Sequence, residues 1–251
     1  MDAFGIDIGG SGIKGAPVDL TKGCFAAERL RIPTPEQSTP DAVADICRQL
    51  LEHFSVEPSV PVGVAFPAPV HPGRPIGYMS NLDQSWVGVD ITAKLSEACG
   101  RPVHVVNDAD AAGLGESLYG EARAYRGLVV TVTLGTGIGT ALVMDGKLIP
   151  NSELGHIIMG KHGEDAESLA ADSARQREEL SWKKWGKRLT KYLQLLEFYL
   201  SPEAFIIGGG VSKKHEKFFP YIEVDTPLYP ATLLNDAGII GAAAFAASQG
   251  R

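Results

Sequence analysis

Asp7, Ser11 and Lys14 stand in one short run, Asp7-Ile8-Gly9-Gly10-Ser11-Gly12-Ile13-Lys14-Gly15, whose residue types suit phosphate. Glycines let backbone N–H groups approach an anion where a Cβ would collide. Ser11 adds a hydroxyl and Lys14 a mobile positive charge. Asp7 can hold Mg²⁺, directly or through water, because that ion takes one or two carboxylates beside phosphate oxygens. Two more glycine turns occur, Gly135-Thr136-Gly137 and Gly208-Gly209-Gly210. Any one of them read alone is as well explained by a tight bend. Three turns behind three apolar runs favour a ligand. The first two (Gly9, Gly10, Gly12; Gly135, Thr136, Gly137) suit a phosphate chain, and the third (Gly209, Gly210) suits a base or sugar. Gly10, Gly12 and Gly15 also spell the dinucleotide fingerprint, but that motif needs a helix to begin in it. Gly15 and Pro17 oppose a helix, and Val18 and Leu20 suggest a second strand.

Asn107-Asp108 closes another apolar run. A carboxylate there can take the proton of an attacking hydroxyl, as phosphoryl transfer requires. The residues alone favour a plainer role for Asp108, the N-cap of the following helix. Asp110 is expected to face solvent. Glu153 and His156, three apart, fall on one side of a turn and can bind vicinal hydroxyls of a sugar, or form an ordinary polar loop. Lys183, Lys184, Lys187 and Arg188 form one basic cluster, and Lys213, Lys214 and Lys217 another. Such clusters are usually solvated faces, but they can also receive a long polyanion.

The elements that must carry these residues follow from periodicity. Phe4–Ile8, Ile13–Asp19 and Phe25–Ile32 read as successive antiparallel strands. Thr39-Pro40 opens a helix bearing Val43, Ile46, Leu50, Leu51 and Phe54. A strand at Val62–Phe66, a helix at Ile91–Ala98 closed by Gly100, and a strand at Val103–Val106 follow. A helix over Ala109–Tyr119 precedes strands at Leu128–Leu134, Thr140–Met144 and Lys147–Ile149, the last two joined by Asp145-Gly146. The order strand, glycine turn, strand, strand thus occurs twice, which suggests a duplicated architecture. Residues 160–180 are polar. A helix from Trp182 ends at Pro202, a strand covers Phe205–Ile207, and an Ala-rich helix runs from Asn235 to about Ser248. The order predicts mixed α/β sheets.

The chain has 251 residues, a formal net charge of −7, 44% hydrophobic residues and three cysteines. The charge argues against nucleic-acid or anionic-membrane binding by the whole surface. Cys24, Cys47 and Cys99 form no metal-type pair and suggest a reducing compartment. With no signal peptide and no long apolar span, a cytoplasmic protein is expected.

The motifs together resemble the ROK sugar kinases. They are Asp7-Ile8-Gly9-Gly10-Ser11, Asn107-Asp108-Ala109-Asp110-Ala111-Ala112, Leu134-Gly135-Thr136-Gly137-Ile138-Gly139, Glu153-Leu154-Gly155-His156, Gly208-Gly209-Gly210-Val211-Ser212 and Ala237-Gly238-Ile239-Ile240-Gly241-Ala242-Ala243. They run the length of the chain in the family's order. The resemblance implies a two-domain actin-like fold, ribonuclease H-like and duplicated. Residues 1–108 with 236–251 would form a small N-terminal domain with a returning C-terminal helix, and 109–235 a larger domain. Asp108 then corresponds to the base for a sugar 6-hydroxyl, and Asn81, Asn107, Glu153 and His156 to sugar-binding residues.

One segment departs from the family. Most members carry a cysteine-rich zinc segment after the histidine, whereas this chain has Gly163-Glu164-Asp165-Ala166-Glu167. No zinc is expected, and Glu167 corresponds to the glutamate that ends that segment. This segment and Leu180-Ser181-Trp182-Lys183-Lys184-Trp185-Gly186 resemble the bacterial polyphosphate glucokinases. The resemblance implies glucose as acceptor, polyphosphate and ATP as donors with Mg²⁺, and a homodimer. Lys183, Lys184, Lys213 and Lys214 become a candidate polyphosphate surface. The rivals are an ATP-only glucokinase, a kinase of another hexose such as mannose, and a sugar-sensing regulator. The regulator would need an N-terminal DNA-binding segment ahead of the strand that starts at about Phe4.

Overall fold

The structure is a computed structural model that describes residues 2–79 and 82–249; Asn81 lies outside them. The chain divides into two units, Met1–Gly115 with Asp236–Arg251, and Glu116–Asn235.

The first unit opens with β1 (Ala3–Gly9) and β2 (Gly12–Asp19), joined through Gly10 and Ser11 with Gly9 opposite Gly12. The run from 25 to 32, expected as one strand, is two: β3 (Cys24–Phe25) and β4 (Leu30–Ile32). Phe25 pairs with Val18 and Leu30 with Gly15, so residues 26–29 lie against Ala16 and Pro17 alone. Pro17 accepts the N–H of Ala26 but has none to return, and the ladder breaks there.

Helix α1 (Pro40–His53) begins as its sequence dictates, with Thr39 as N-cap and Pro40 in the first turn. Strand β5 (Val62–Phe66), helix α2 (Ile91–Cys99), strand β6 (Val103–Asn107) and helix α3 (Asp108–Tyr119) follow. The sheet runs β3-β2-β1-β5-β6, with β4 also beside β2. β1, β5 and β6 are parallel. The core unites the apolar faces of α1 and α2 with Phe4, Ile6, Val64 and Phe66. The division between the units falls inside α3, between Gly115 and Glu116, whereas the sequence reading ended the first segment at 108.

The second unit contains β7 (Leu128–Leu134), β8 (Ile138–Met144), β9 (Lys147–Ile149), α4 (Ala166–Ala170), α5 (Asp172–Arg177), α6 (Trp182–Leu200), β10 (Ala204–Gly208) and β11 (Leu228–Pro230). Its sheet runs β11-β10-β7-β8-β9. Read from the other edge, β9-β8-β7-β10-β11 has the connectivity of β3-β2-β1-β5-β6, with the same antiparallel start and parallel continuation. The two sheets share one topology. Leu189, Leu193 and Leu196 of α6 pack with Val130, Val132 and Phe205 in this unit's core.

The chain then returns to the first unit as α7 (Ala237–Gln249). Gly5 and Gly63 are register partners on β1 and β5. A Cβ on them would meet the carbonyl oxygens of Ile239 at 2.0 Å and Ala242 at 1.8 Å. The helix backbone therefore lies directly on the sheet, and its Ala-rich face suits that close approach.

Candidate active site

In the first unit, Asp7 and Asn107 sit toward the C-terminal ends of parallel strands, where α/β sheets bind ligands. Asp7 is level with Ala65, and Asn107 with Phe66. Asn107, nearly buried, caps α3: its Oδ1 accepts the N–H groups of Ala109 at 2.9 Å and Asp110 at 3.2 Å. The residue-level reading assigned this capping to Asp108. Asp108 is instead the first residue of the helix, half-buried, with its Oδ1 on the N–H of Ala109 at 2.8 Å. Asp110, expected at the surface, is fully buried. Its place in the first turn of α3, where the helix dipole favours an anion, accommodates a carboxylate there.

The first glycine turn is a hairpin tip with Gly10 and Ser11 exposed and Gly12 buried. Lys14 lies opposite Asp7 in register, with its Nζ 3.1 Å from Oδ2. The sequence reading missed Arg31. Its Nη2 donates to the Ser11 carbonyl at 2.5 Å, and its guanidinium covers Gly12, where an added Cβ would stand 2.5 Å from Nε. Arg31 pairs with Lys14 across β4 and β2, so two cations flank the turn.

In the second unit, the other two glycine turns follow the adjacent parallel strands β7 and β10. They touch: Gly209 has φ +80°, and a Cβ on it would stand 2.2 Å from the Leu134 carbonyl oxygen. Thr136 is held from α5, where Ser173 donates its N–H to the Gly135 carbonyl at 3.1 Å and its hydroxyl to the Thr136 carbonyl at 2.6 Å.

Glu153 precedes, and His156 ends, a 3₁₀ turn over Leu154–His156. That turn seats on the start of β8: the Leu154 N–H reaches Thr140 Oγ1 at 3.1 Å, and Gly155 abuts the Ile138 carbonyl. Glu167 reaches the same place from α4, with Oε2 accepting the Ile138 N–H at 2.8 Å. Glu153, His156, Glu167 and the second glycine turn thus converge around Ile138. His156 Nδ1 lies 2.9 Å from Asp165 Oδ2. That hydrogen bond raises the imidazole pKa above its ordinary value, with Glu167 and Glu153 adding to the rise. Loss of surrounding water raises the Glu153 carboxyl, His156 pulls it back, and Glu167 pushes it up again. Asp165 was not singled out by sequence, because its partner His156 lies nine residues away and only the folded loop joins them.

Lys183, Lys184, Lys213 and Lys214 are exposed. Trp182 connects their segments: Arg175 lies 4.1 Å from its ring centroid, Lys217 Nζ 5.8 Å, and Phe218 stacks at 6.1 Å. Arg188 turns inward instead, onto Glu178 at 2.5 Å. Among the described residues no group of three His, Cys, Asp or Glu is arranged to hold a metal ion. Among the described residues, too, no helix is long and apolar enough to cross a membrane.

Two sheets of one topology, with glycine turns at the ends of their parallel strands, define an actin-like α/β sugar-kinase fold. Residues 3–168 match the model of the ROK family, and the chain belongs to that family. The chain is 43% identical over 241 residues to the polyphosphate glucokinase of Mycobacterium tuberculosis strain CDC 1551 / Oshkosh, covering 96% of this chain and 89% of that one. It is 47% identical to the inorganic polyphosphate/ATP-glucomannokinase of Arthrobacter sp. strain KM, whose crystal structure superposes with a TM-score of 0.87 over 98% of each chain. A ROK family glucokinase from Streptomyces griseus, solved with glucose and AMPPNP, is 23% identical with a TM-score of 0.80, covering 98% of this chain and 99% of that one, and shares the fold.

Proposed function

We propose that this chain transfers a phosphoryl group from inorganic polyphosphate to the 6-hydroxyl of glucose, with ATP as a second donor. The observation that carries the reading is the near full-length likeness to polyphosphate-using glucose kinases from Mycobacterium and Arthrobacter. Asp108 takes the hydroxyl proton. The freed oxygen attacks the terminal phosphorus, the bridging P–O bond breaks, and the shortened polyphosphate or ADP leaves. Asn107, Glu153, His156 and Glu167 hold the sugar, joined by Asn81. Asn107 does so while it caps α3, the helix whose first residue is Asp108. Gly9, Gly10, Ser11, Gly12, Lys14, Gly135, Thr136, Gly137, Gly209 and Gly210 receive the donor.

Asp7 would hold Mg²⁺, which would offset charge on the transferred phosphoryl group. A single carboxylate, Asp7, suits an ion whose other oxygens come from phosphate and water. Lys14, which pairs with Asp7 in the structure, would then turn to the phosphate. Lys183, Lys184, Lys213 and Lys214 offer exposed positive charge to the length of a polyphosphate chain. A homodimer is proposed as well, supported by the exposed aromatic pair Phe198 and Tyr199, 79% and 65% accessible at the end of α6. The expected compartment is the cytoplasm.

The test is glucose 6-phosphate formation by the purified chain with Mg²⁺ and either polyphosphate or ATP as sole donor. Product with polyphosphate is expected. Product with ATP alone would overturn the donor assignment. No product with either donor would overturn the enzyme assignment for glucose, and mannose is the next acceptor to try, since the Arthrobacter relative is a glucomannokinase.

A further inference from the structure

Asp165 is tied to two of the proposed sugar-binding residues by different oxygens of one carboxylate. Its Oδ2 meets His156 Nδ1 at 2.9 Å. Its Oδ1 caps α4 by accepting the Ser168 N–H at 2.8 Å, and α4 carries Glu167 in its first turn. The backbone adds a third tie, a bridge between Asp165 and Ile158, two residues beyond His156. The Asp165 side chain is 29% accessible and that of His156 58%, so the imidazole keeps an open face while the carboxylate lies behind it.

The hydrogen-bond chemistry fixes the tautomer. An ionised carboxylate only accepts, and His156 holds the Asp165 carboxyl below its ordinary pKa, so Nδ1 must carry the proton. Neutral His156 is then left with an acceptor at Nε2, and protonated His156 with a donor there. Either form presents Nε2, not Nδ1, to a hydroxyl.

We infer that Asp165 is a positioning residue for the sugar: it fixes the His156 ring with Nε2 outward and, by capping α4, sets Glu167 against Ile138. The inference rests on the proposed sugar kinase reading for its kinetic consequence, but its structural half stands apart from activity. The charged groups facing the His156 ring are Asp165, Glu167 and Glu153.

The test uses the full chain labelled with ¹⁵N. The imidazole signals of His156 are assigned by their loss in His156→Gln. Wild type is expected to show the Nδ1-protonated tautomer when neutral and to titrate above the ordinary histidine value. Asp165→Asn keeps a good cap on α4, so the fold and Glu167 should hold. In that variant the tautomer should redistribute toward Nε2–H, and the titration should move to lower pH. KM for glucose should rise about 10-fold, the scale of one charge-assisted hydrogen bond, while KM for the donor stays unchanged. Asp165→Ala, which loses the cap as well, should raise KM for glucose further. An unchanged His156 tautomer and titration in Asp165→Asn would overturn the inference. So would an unchanged KM for glucose. A wild-type chain that makes no glucose 6-phosphate would sink the sugar kinase reading, while the imidazole spectra would still decide whether Asp165 fixes the ring.

Discussion

Glu167 Oε2 accepts the backbone N–H of Ile138 at 2.8 Å, and the same oxygen lies 2.3 Å from where a Cβ on Gly137 would stand. A carboxylate assigned to the sugar therefore also braces the second phosphate turn. Glu167→Ala is expected to raise KM for both glucose and the donor, because it leaves an amide at the turn without its partner, a loss of about 1–3 kcal/mol. Steady-state kinetics with each substrate varied checks this. A change confined to glucose would show that the turn holds without Glu167.

The Glu153 carboxyl lies above its ordinary value, chiefly from loss of surrounding water. A raised carboxyl pKa means that protonation begins at higher pH. If ionised Glu153 accepts sugar hydroxyls, KM for glucose should climb as pH falls, with the onset above pH 4.5, the unperturbed value. Glu153→Gln should flatten that limb and raise KM at neutral pH. The pH profile of kcat/KM for glucose in the two proteins decides it.

Lys183, Lys184, Lys213 and Lys214 are exposed and carry no assigned role with ATP. Replacing all four by Gln should weaken polyphosphate use and reduce its salt dependence, since screened surface charges act mainly on a long polyanion. ATP kinetics should be unaffected. An equal loss with both donors would move these lysines into the shared donor site.

Gly63 has the Ala242 carbonyl 1.8 Å from where its Cβ would be. Gly63→Ala must push α7 off the sheet or distort β5, at a cost of about 1–3 kcal/mol or more. Chemical denaturation of the two proteins measures the difference.

These relationships also show what the chain reveals before it folds. The strands were legible because apolar runs such as Val129-Val130 end at glycine, and α1 because Thr39-Pro40 announces its start. The split at 26–29 was not legible, because it depends on Pro17 in the neighbouring strand. β11 was missed, since Leu228–Pro230 is a three-residue edge strand ending in proline. Its signal was the duplication itself, which requires a counterpart of β6. Asp110 misled because an acid near a helix start usually faces water, and here the first turn of α3 is buried. Arg31, Ile138 and Asp165 act through partners brought to them by the fold. The one local tie, the cap that Asp165 gives Ser168, marks a helix start and not a histidine partner.

Asn107 as the cap of α3 bears on the central assignment, because the N-cap role that the residues alone gave to Asp108 belongs to its neighbour, and Asp108 is the first residue of the helix. The most direct measurement compares Asp108→Asn with the wild-type chain, with glucose binding followed by calorimetry and glucose 6-phosphate formation by coupled assay. Loss of a general base should lower kcat by about 10²–10⁴-fold while glucose still binds with little change. Near-normal turnover in Asp108→Asn would contradict the assignment of Asp108 as the base.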